Sequence, residues 1–282
     1  MEHRTAGQIA VACKGKILIG DPETPVDHIS LNSNDMKGND LFVPLVGERV
    51  DAHNYLSQAF GHGAAAALTS EHSQAPEGAK GVFIQVEDTK KALQELGRSF
   101  RNRLTLPIIG ITGSVGKTTT REMVAAALSA ELRVFKTPGN YNSQVGVPVT
   151  LSEIRSDHQV AVVELGMSEA GEMTVIAQIA CPDMAVITNI GVAHIGQLGS
   201  QENIFREKMS IQDGLKQGGT LILNGDDPWL RDAKAREGFC TVYYGTGESC
   251  DYRAVDIQIT EGYPSFTAVC RGASVPVKLR VM

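Results

Sequence analysis

The stretch Leu106-Pro-Ile-Ile-Gly-Ile-Thr-Gly-Ser-Val-Gly-Lys-Thr-Thr-Thr120 constrains the fold of this 282-residue chain more than any other. An apolar run after Pro107 breaks into a glycine-rich turn from Gly113 to Gly116, and a helical pattern starts at Lys117. That is a strand, a phosphate loop and a helix. Glycines let backbone N–H groups curl round a polyphosphate, and the helix N-terminus adds partial positive charge. Ser114, Val115 and Thr119 belong to the same cradle, Lys117 reaches the terminal phosphates, and Thr118 holds Mg²⁺. The expected ligand is a nucleoside triphosphate. The strict spacing G-x-x-x-x-G-K-[ST] is not met, because Ile111 stands five residues before Gly116. This departure points to a particular subclass.

The flanking sequence agrees with an α/β protein of about two domains. In the first, short apolar runs at Ile9 to Ala12 and Lys16 to Ile19 flank Lys14-Gly15 and read as a small hairpin. Strands are expected at 40–46, 64–69 and 81–86, and helices at 51–61 and from Asp88 or Thr89 to about Arg103. This domain is read as residues 1–104. From 105 to 282 the alternation is more regular: helix 117–132, strand 133–136, a polar loop 137–146, buried strands 159–164 and 183–189, helix 201–215, strand 220–224 and helix 228–237. Strands separated by helices imply a doubly wound, mostly parallel sheet with ligands at the carboxyl ends of its strands. Short alternating runs after Ala254 suggest an antiparallel appendage.

Composition narrows the partners. A net charge of -6 argues against a general binder of nucleic acid or of anionic membranes. The five widely spaced cysteines contain no C-x-x-C pair, so buried free thiols in a reducing compartment are expected and a zinc site is not. The N-terminus lacks a secretory pattern and there is no apolar run of 18 residues, so cytoplasmic localisation is expected.

Further chemistry collects at strand ends. Glu164 closes the run Val160 to Val163, where the acidic partner of a nucleotide's Mg²⁺ belongs. The next strand runs out into Thr188-Asn-Ile-Gly-Val-Ala-His194, which puts His194 over the same edge as a candidate ligand. Asn224-Gly-Asp-Asp227 suits either nucleotide contact or the cap of a helix begun by Pro228. Asn140, Asn142 and Gln144 suit either a polar substrate or a bare turn. Lys208, taken alone, reads as a solvated lysine on a helix.

Taken together, Gly110 to Thr119, Gly139-Asn-Tyr-Asn142 with Gly146-Val-Pro148, Glu164-Leu-Gly-Met167, Thr188 to His194 and Asn224 to Asp227 resemble the Mur ligases, as does Asp40 to His53 in the first domain. The resemblance implies an N-terminal domain for a UDP-linked substrate and a central ATP domain. Within the family it is to the activity that joins D-alanyl-D-alanine to UDP-MurNAc-tripeptide through an acyl phosphate, by a monomeric enzyme. A ligase adding the third peptide residue, a polyglutamate-type ligase and a non-catalytic nucleotide switch are the alternatives. The resemblance implies that Lys117 and Thr118 serve phosphates and Mg²⁺, that Glu164 and His194 serve two metal positions, and that Lys208 matches the lysine carbamylated in several members. It also assigns Ser33, Asn140 and Asn142 to the UDP substrate, and Asn224 and Asp227 to the nucleotide. Where the family reads Asp-Ser-Arg this chain has Asn32-Ser33-Asn34, so only Ser33 carries over. Because the family pattern continues past Met282, residues 1–282 are expected to bind UDP-MurNAc-tripeptide yet ligate little.

Overall fold

The computed structural model describes residues 2, 4–75 and 80–280. The reading of the N-terminal leader falls partly on Met1 and His3, and that of the chain end on Met282, all outside the described residues. The fold is α/β, and the chain forms two compact units, each discontinuous in sequence. One comprises residues 1–106 and 128–163, and the other 107–127 and 164–282.

The first unit holds a five-stranded sheet in the order Lys16–Ile19, Val82–Gln85, Ala64–Thr69, Asp40–Phe42, His28–Ser30. Only the first pair is antiparallel. Phe42, Leu56, Ala59, Ala64, Ala67 and Phe83 pack into one buried cluster against this sheet. The helix Thr89–Arg101 starts at Asp88, whose carboxylate accepts from Lys91 N at 2.8 Å. Val134–Lys136 pairs in parallel with Val160–Val162, and the short helix Gly146–Ser152 follows the polar loop.

The expected hairpin at residues 7–20 is corrected. Ala6–Ala12 is a helix, capped by the Thr5 side chain accepting from Gln8 N, and it buries Ala6, Ile9 and Ala10. Those three positions lie at i, i+3 and i+4, so helical period outweighed the short apolar run.

In the second unit the strands lie in the order Ile108–Thr112, Met184–Ile187, Thr220–Asn224, Cys240–Gly245, Tyr252–Thr260, Tyr263–Cys270, Ala273–Lys278. The first five are parallel and the last two antiparallel, so the expected appendage continues this sheet. The helix Lys117–Leu128 follows the first of these strands, Glu172–Ala180 precedes the second, and Gln201–Met209 lies between the second and the third.

Residues 228–232 form turns and 233–236 are irregular, in place of the expected helix over 228–237. Asp227 Oδ1 accepts from Trp229 N and Leu230 N as a helix cap does, but the winding does not continue, because Thr241 Oγ1 takes Ala235 N and Gln212 Oε1 takes Arg236 N. All five cysteines are free thiols, but only Cys13 and Cys250 are buried, and Cys240 is exposed. No helix among the described residues is long and apolar enough to cross a membrane.

Candidate active site

The strand Ile108–Thr112 is β-branched and almost wholly buried, and it ends where the chain must turn sharply. Gly113 makes that turn possible. Its φ is +153°, and a Cβ placed there would lie 1.8 Å from Thr188 Oγ1. Gly116, with φ +82°, then delivers the chain into the helix Lys117–Leu128.

The loop between these glycines is braced by the end of the neighbouring strand. Ser114 N donates to Asn189 O at 3.1 Å. The Asn189 side chain accepts from Val115 N and donates to Val115 O, both at 3.0 Å. Thr188 Oγ1 donates to the same carbonyl at 2.6 Å, and Gly191 N donates to Ser114 Oγ at 2.8 Å.

Lys117 Nζ curls back to donate to Gly113 O at 2.8 Å. Burial lowers its pKa, while the Glu164 carboxylate acts in the opposite sense. Thr118 Oγ1 donates to Glu164 Oε2 at 3.0 Å. Glu164 is 2% exposed and sits beside the loop strand because Leu165 N donates to Ile111 O. Arg121 Nη1 reaches the same Glu164 oxygen at 3.3 Å. A hydroxyl and a carboxylate converging at a phosphate loop form a hard oxygen donor set of the kind Mg²⁺ takes. Thr119 is exposed at the start of the helix.

Lys208 overturns its reading as a solvated lysine. It is 1% exposed, and its pKa is lowered to about 7, first by burial and then by the nearby Lys117. Its neighbour Glu207 is also buried. Glu207 accepts from Gly171 N at 2.9 Å and Met173 N at 2.8 Å, holding the N-terminus of the helix Glu172–Ala180.

His194 is exposed, with φ +64°, and leads into the short helix Ile195–Leu198. No hydrogen bond or ion pair joins it to Thr118 or Glu164. Asn224 Nδ2 donates to Thr188 O at 2.9 Å, and Asp227 Oδ2 accepts from Ile190 N at 2.9 Å. Both side chains therefore fasten the strand end that braces the phosphate loop.

In the first unit, Ser33 is buried and donates to Gln58 Oε1 at 3.1 Å. Asn140 is exposed and Asn142 half-buried, with Asn142 N donating to Asn140 O at 2.7 Å. Tyr141, between them, lines a cavity of about 300 Å³ together with Asn32, Lys37 and Asp40.

Asp51, His53 and Glu71 also lie together in this unit. Ser70 N donates to His53 Nε2 at 3.2 Å, so the neutral ring carries its proton on Nδ1, which donates to Asp51 at 2.7 Å. The remaining lone pair, on Nε2, is taken by the Ser70 amide and not offered to a cation.

Residues 25–101 match the family described as Mur ligase family, catalytic domain, and residues 111–282 match the Mur ligase middle domain. The chain belongs to the Mur ligase family. It is 40% identical over 268 residues to the UDP-N-acetylmuramoyl-tripeptide–D-alanyl-D-alanine ligase of Bacillus subtilis, an alignment covering 95% of this chain and 58% of that protein. A crystal structure of MurF from Acinetobacter baumannii superposes with a TM-score of 0.89 at 33% identity, covering 99% of this chain and 61% of that one. MurF ligase from Thermotoga maritima in complex with ADP gives a TM-score of 0.79 at 30% identity, covering 90% and 58%. The chain thus spans about three fifths of the length of these Mur ligases.

Sequence reasoning on this Mur ligase chain missed Arg121, Glu207 and the bracing pair Thr188 and Asn189. Arg121 had a signal: it follows Thr118 by three residues on one helix, so both side chains share a face. Glu207 had none, since its partners are the backbone amides of a distant turn.

Proposed function

We propose that the chain serves an ATP- and Mg²⁺-dependent ligase reaction that joins D-alanyl-D-alanine to UDP-MurNAc-tripeptide through an acyl phosphate, as a cytoplasmic monomer. The observation that carries this reading is the Thr118–Glu164 pair at the mouth of the phosphate loop, 3.0 Å apart and backed by Arg121. The named activity of the Bacillus subtilis relative and the ADP complex of the Thermotoga maritima neighbour support it.

In this reading the glycine-rich loop turns its N–H groups not held by Asn189 to the phosphates, and Lys117 leaves Gly113 O to neutralise the transferring γ-phosphoryl group. Thr118 and Glu164 hold one Mg²⁺, with His194 serving a second position. The metals supply neutralisation of charge on the phosphates. A carboxylate is a poor electrophile, and its phosphorylation creates the leaving group that the acceptor amine displaces. Lys208, whose lowered pKa favours the neutral amine, is poised to take up CO₂ as a carbamate: the ammonium first gives up one proton, the amine nitrogen then bonds to the CO₂ carbon and gives up a second, and a cation becomes an anionic ligand. Asn224 and Asp227 shape the nucleotide site, Ser33, Asn140 and Asn142 serve the UDP substrate, and the domain division is 1–104 and 105–282.

The test is binding of Mg²⁺-nucleotide and of UDP-MurNAc-tripeptide, followed by phosphate release with a panel of acceptor amines. Binding of both, with any release depending on D-alanyl-D-alanine, is the expected result. Release driven by a diamino acid or glutamate would reassign the substrate. Nucleotide hydrolysis indifferent to every acceptor would leave only the switch reading.

A further inference from the structure

The first unit contains a cationic site built from residues other than those of the phosphate loop. A cavity of about 310 Å³ is lined by Arg4, Phe100, Arg103 and His158, a volume at the small end of the range for small-molecule sites. Arg4 is 8% exposed. Its guanidinium stands 5.1 Å over the Phe100 ring and makes one long contact, 3.5 Å, to Ser99 Oγ. No carboxylate pairs with it among the described residues. The neighbouring positive group is Arg103, whose charge, after burial itself, lowers the Arg4 pKa.

Arginine does not shed its proton in proteins, so this largely buried guanidinium stays charged with an aromatic face and a hydroxyl beside it but no counter-ion. The carboxylate at this cavity, Glu2, accepts from Ser156 N and Ser156 Oγ at 3.0 and 2.9 Å. Glu23 lines an adjoining cavity with both arginines, is exposed, and forms an ion pair with neither. His158 adds a donor: its Nδ1 accepts from Arg155 N at 2.9 Å, so Nε2 carries the ring proton. Two guanidinium groups and an imidazole N–H lining one cavity are the donor types that recognise an oxyanion.

We propose that this cavity binds the phosphate or carboxylate group of a small molecule, held chiefly by Arg4 and Arg103. The site is independent of the nucleotide loop and of the ligase reading.

The experiment uses the full chain carrying Lys117→Ala, which silences phosphate binding at the loop. Inorganic phosphate and acetate are titrated in separate arms while the arginine Nε–H resonances are followed by NMR. The expected result is a saturable shift of the Arg4 resonance with one anion or both. Arg4→Gln should weaken that binding about tenfold, the effect of losing one charge-assisted pair. The arm with the tighter binding identifies the head group. If Arg4→Gln fails to fold, the exposed Arg103→Gln decides, with an expected loss of about threefold. Absence of a saturable shift with both anions, or affinity unchanged in the folded variants, overturns the proposal.

Discussion

Thr118 and Arg121 meet on a single oxygen of Glu164, at 3.0 and 3.3 Å, so one buried carboxylate ties the first turn of the phosphate-loop helix to the neighbouring strand end. Removing the cation should therefore be felt beyond the helix. Arg121→Met leaves Glu164 buried with less compensation and is expected to destabilise the protein by on the order of 3 kcal/mol. Urea unfolding measures this, and adding Glu164→Gln should restore part of the loss. Equal stability of Arg121→Met and the parent chain would show that the pair contributes little.

Gly113→Ala tests the turn itself. The added methyl would meet Thr188 Oγ1 at a backbone angle that L-residues avoid. A loss of about 1–3 kcal/mol is expected from forcing the loop and its brace apart, together with loss of nucleotide affinity, read with a fluorescent analogue.

The buried Lys208 makes stability depend on pH. Its amine titrates near 7 in the folded chain against an ordinary value of 10.5. Between those limits the unfolded state holds more protons than the folded state, so raising the pH through that window should stabilise the protein. Below about 7 both states are protonated, and this contribution levels off at its least favourable. Lys208→Met should flatten the rise, as seen by comparing urea midpoints at pH 7 and pH 9.

Glu207→Ala removes the acceptor from two amides at the start of the helix Glu172–Ala180. About 2 kcal/mol of stability should go with it. Hydrogen exchange at Gly171 and Met173 should quicken well before exchange in the strand Met184–Ile187. Uniform exchange in both places would argue against a local tether.

The sequence disclosed the phosphate loop, the strands and the strand-end position of Glu164, because each rests on local pattern: β-branched runs, glycine turns and helical spacing. It failed where distant groups decide. Residues 228–237 contain a helix-compatible pattern, yet Thr241 and Gln212 claim two of their amides. Lys208 sits in a polar stretch that looks solvated, and only tertiary packing buries it. The sequence reading assigns no element to the strand Cys240–Gly245 or to the helix Glu172–Ala180, although Glu172–Ala180 has an apolar face burying Met173, Ile176, Ala177 and Ile179. The turn Lys14-Gly15 suggested a hairpin where Thr5 had already begun a helix.

Asn189 clasps Val115 from both sides, with Thr188 and Ser114 completing the hold, so protein groups fix the loop backbone at Val115. In the proposed reading a triphosphate meets a loop whose Val115 is already held by Asn189, and Lys117 lets go of Gly113 O to reach it. The selectivity of such a grip lies in fit: an analogue that misplaces one oxygen finds no pliant backbone to follow it.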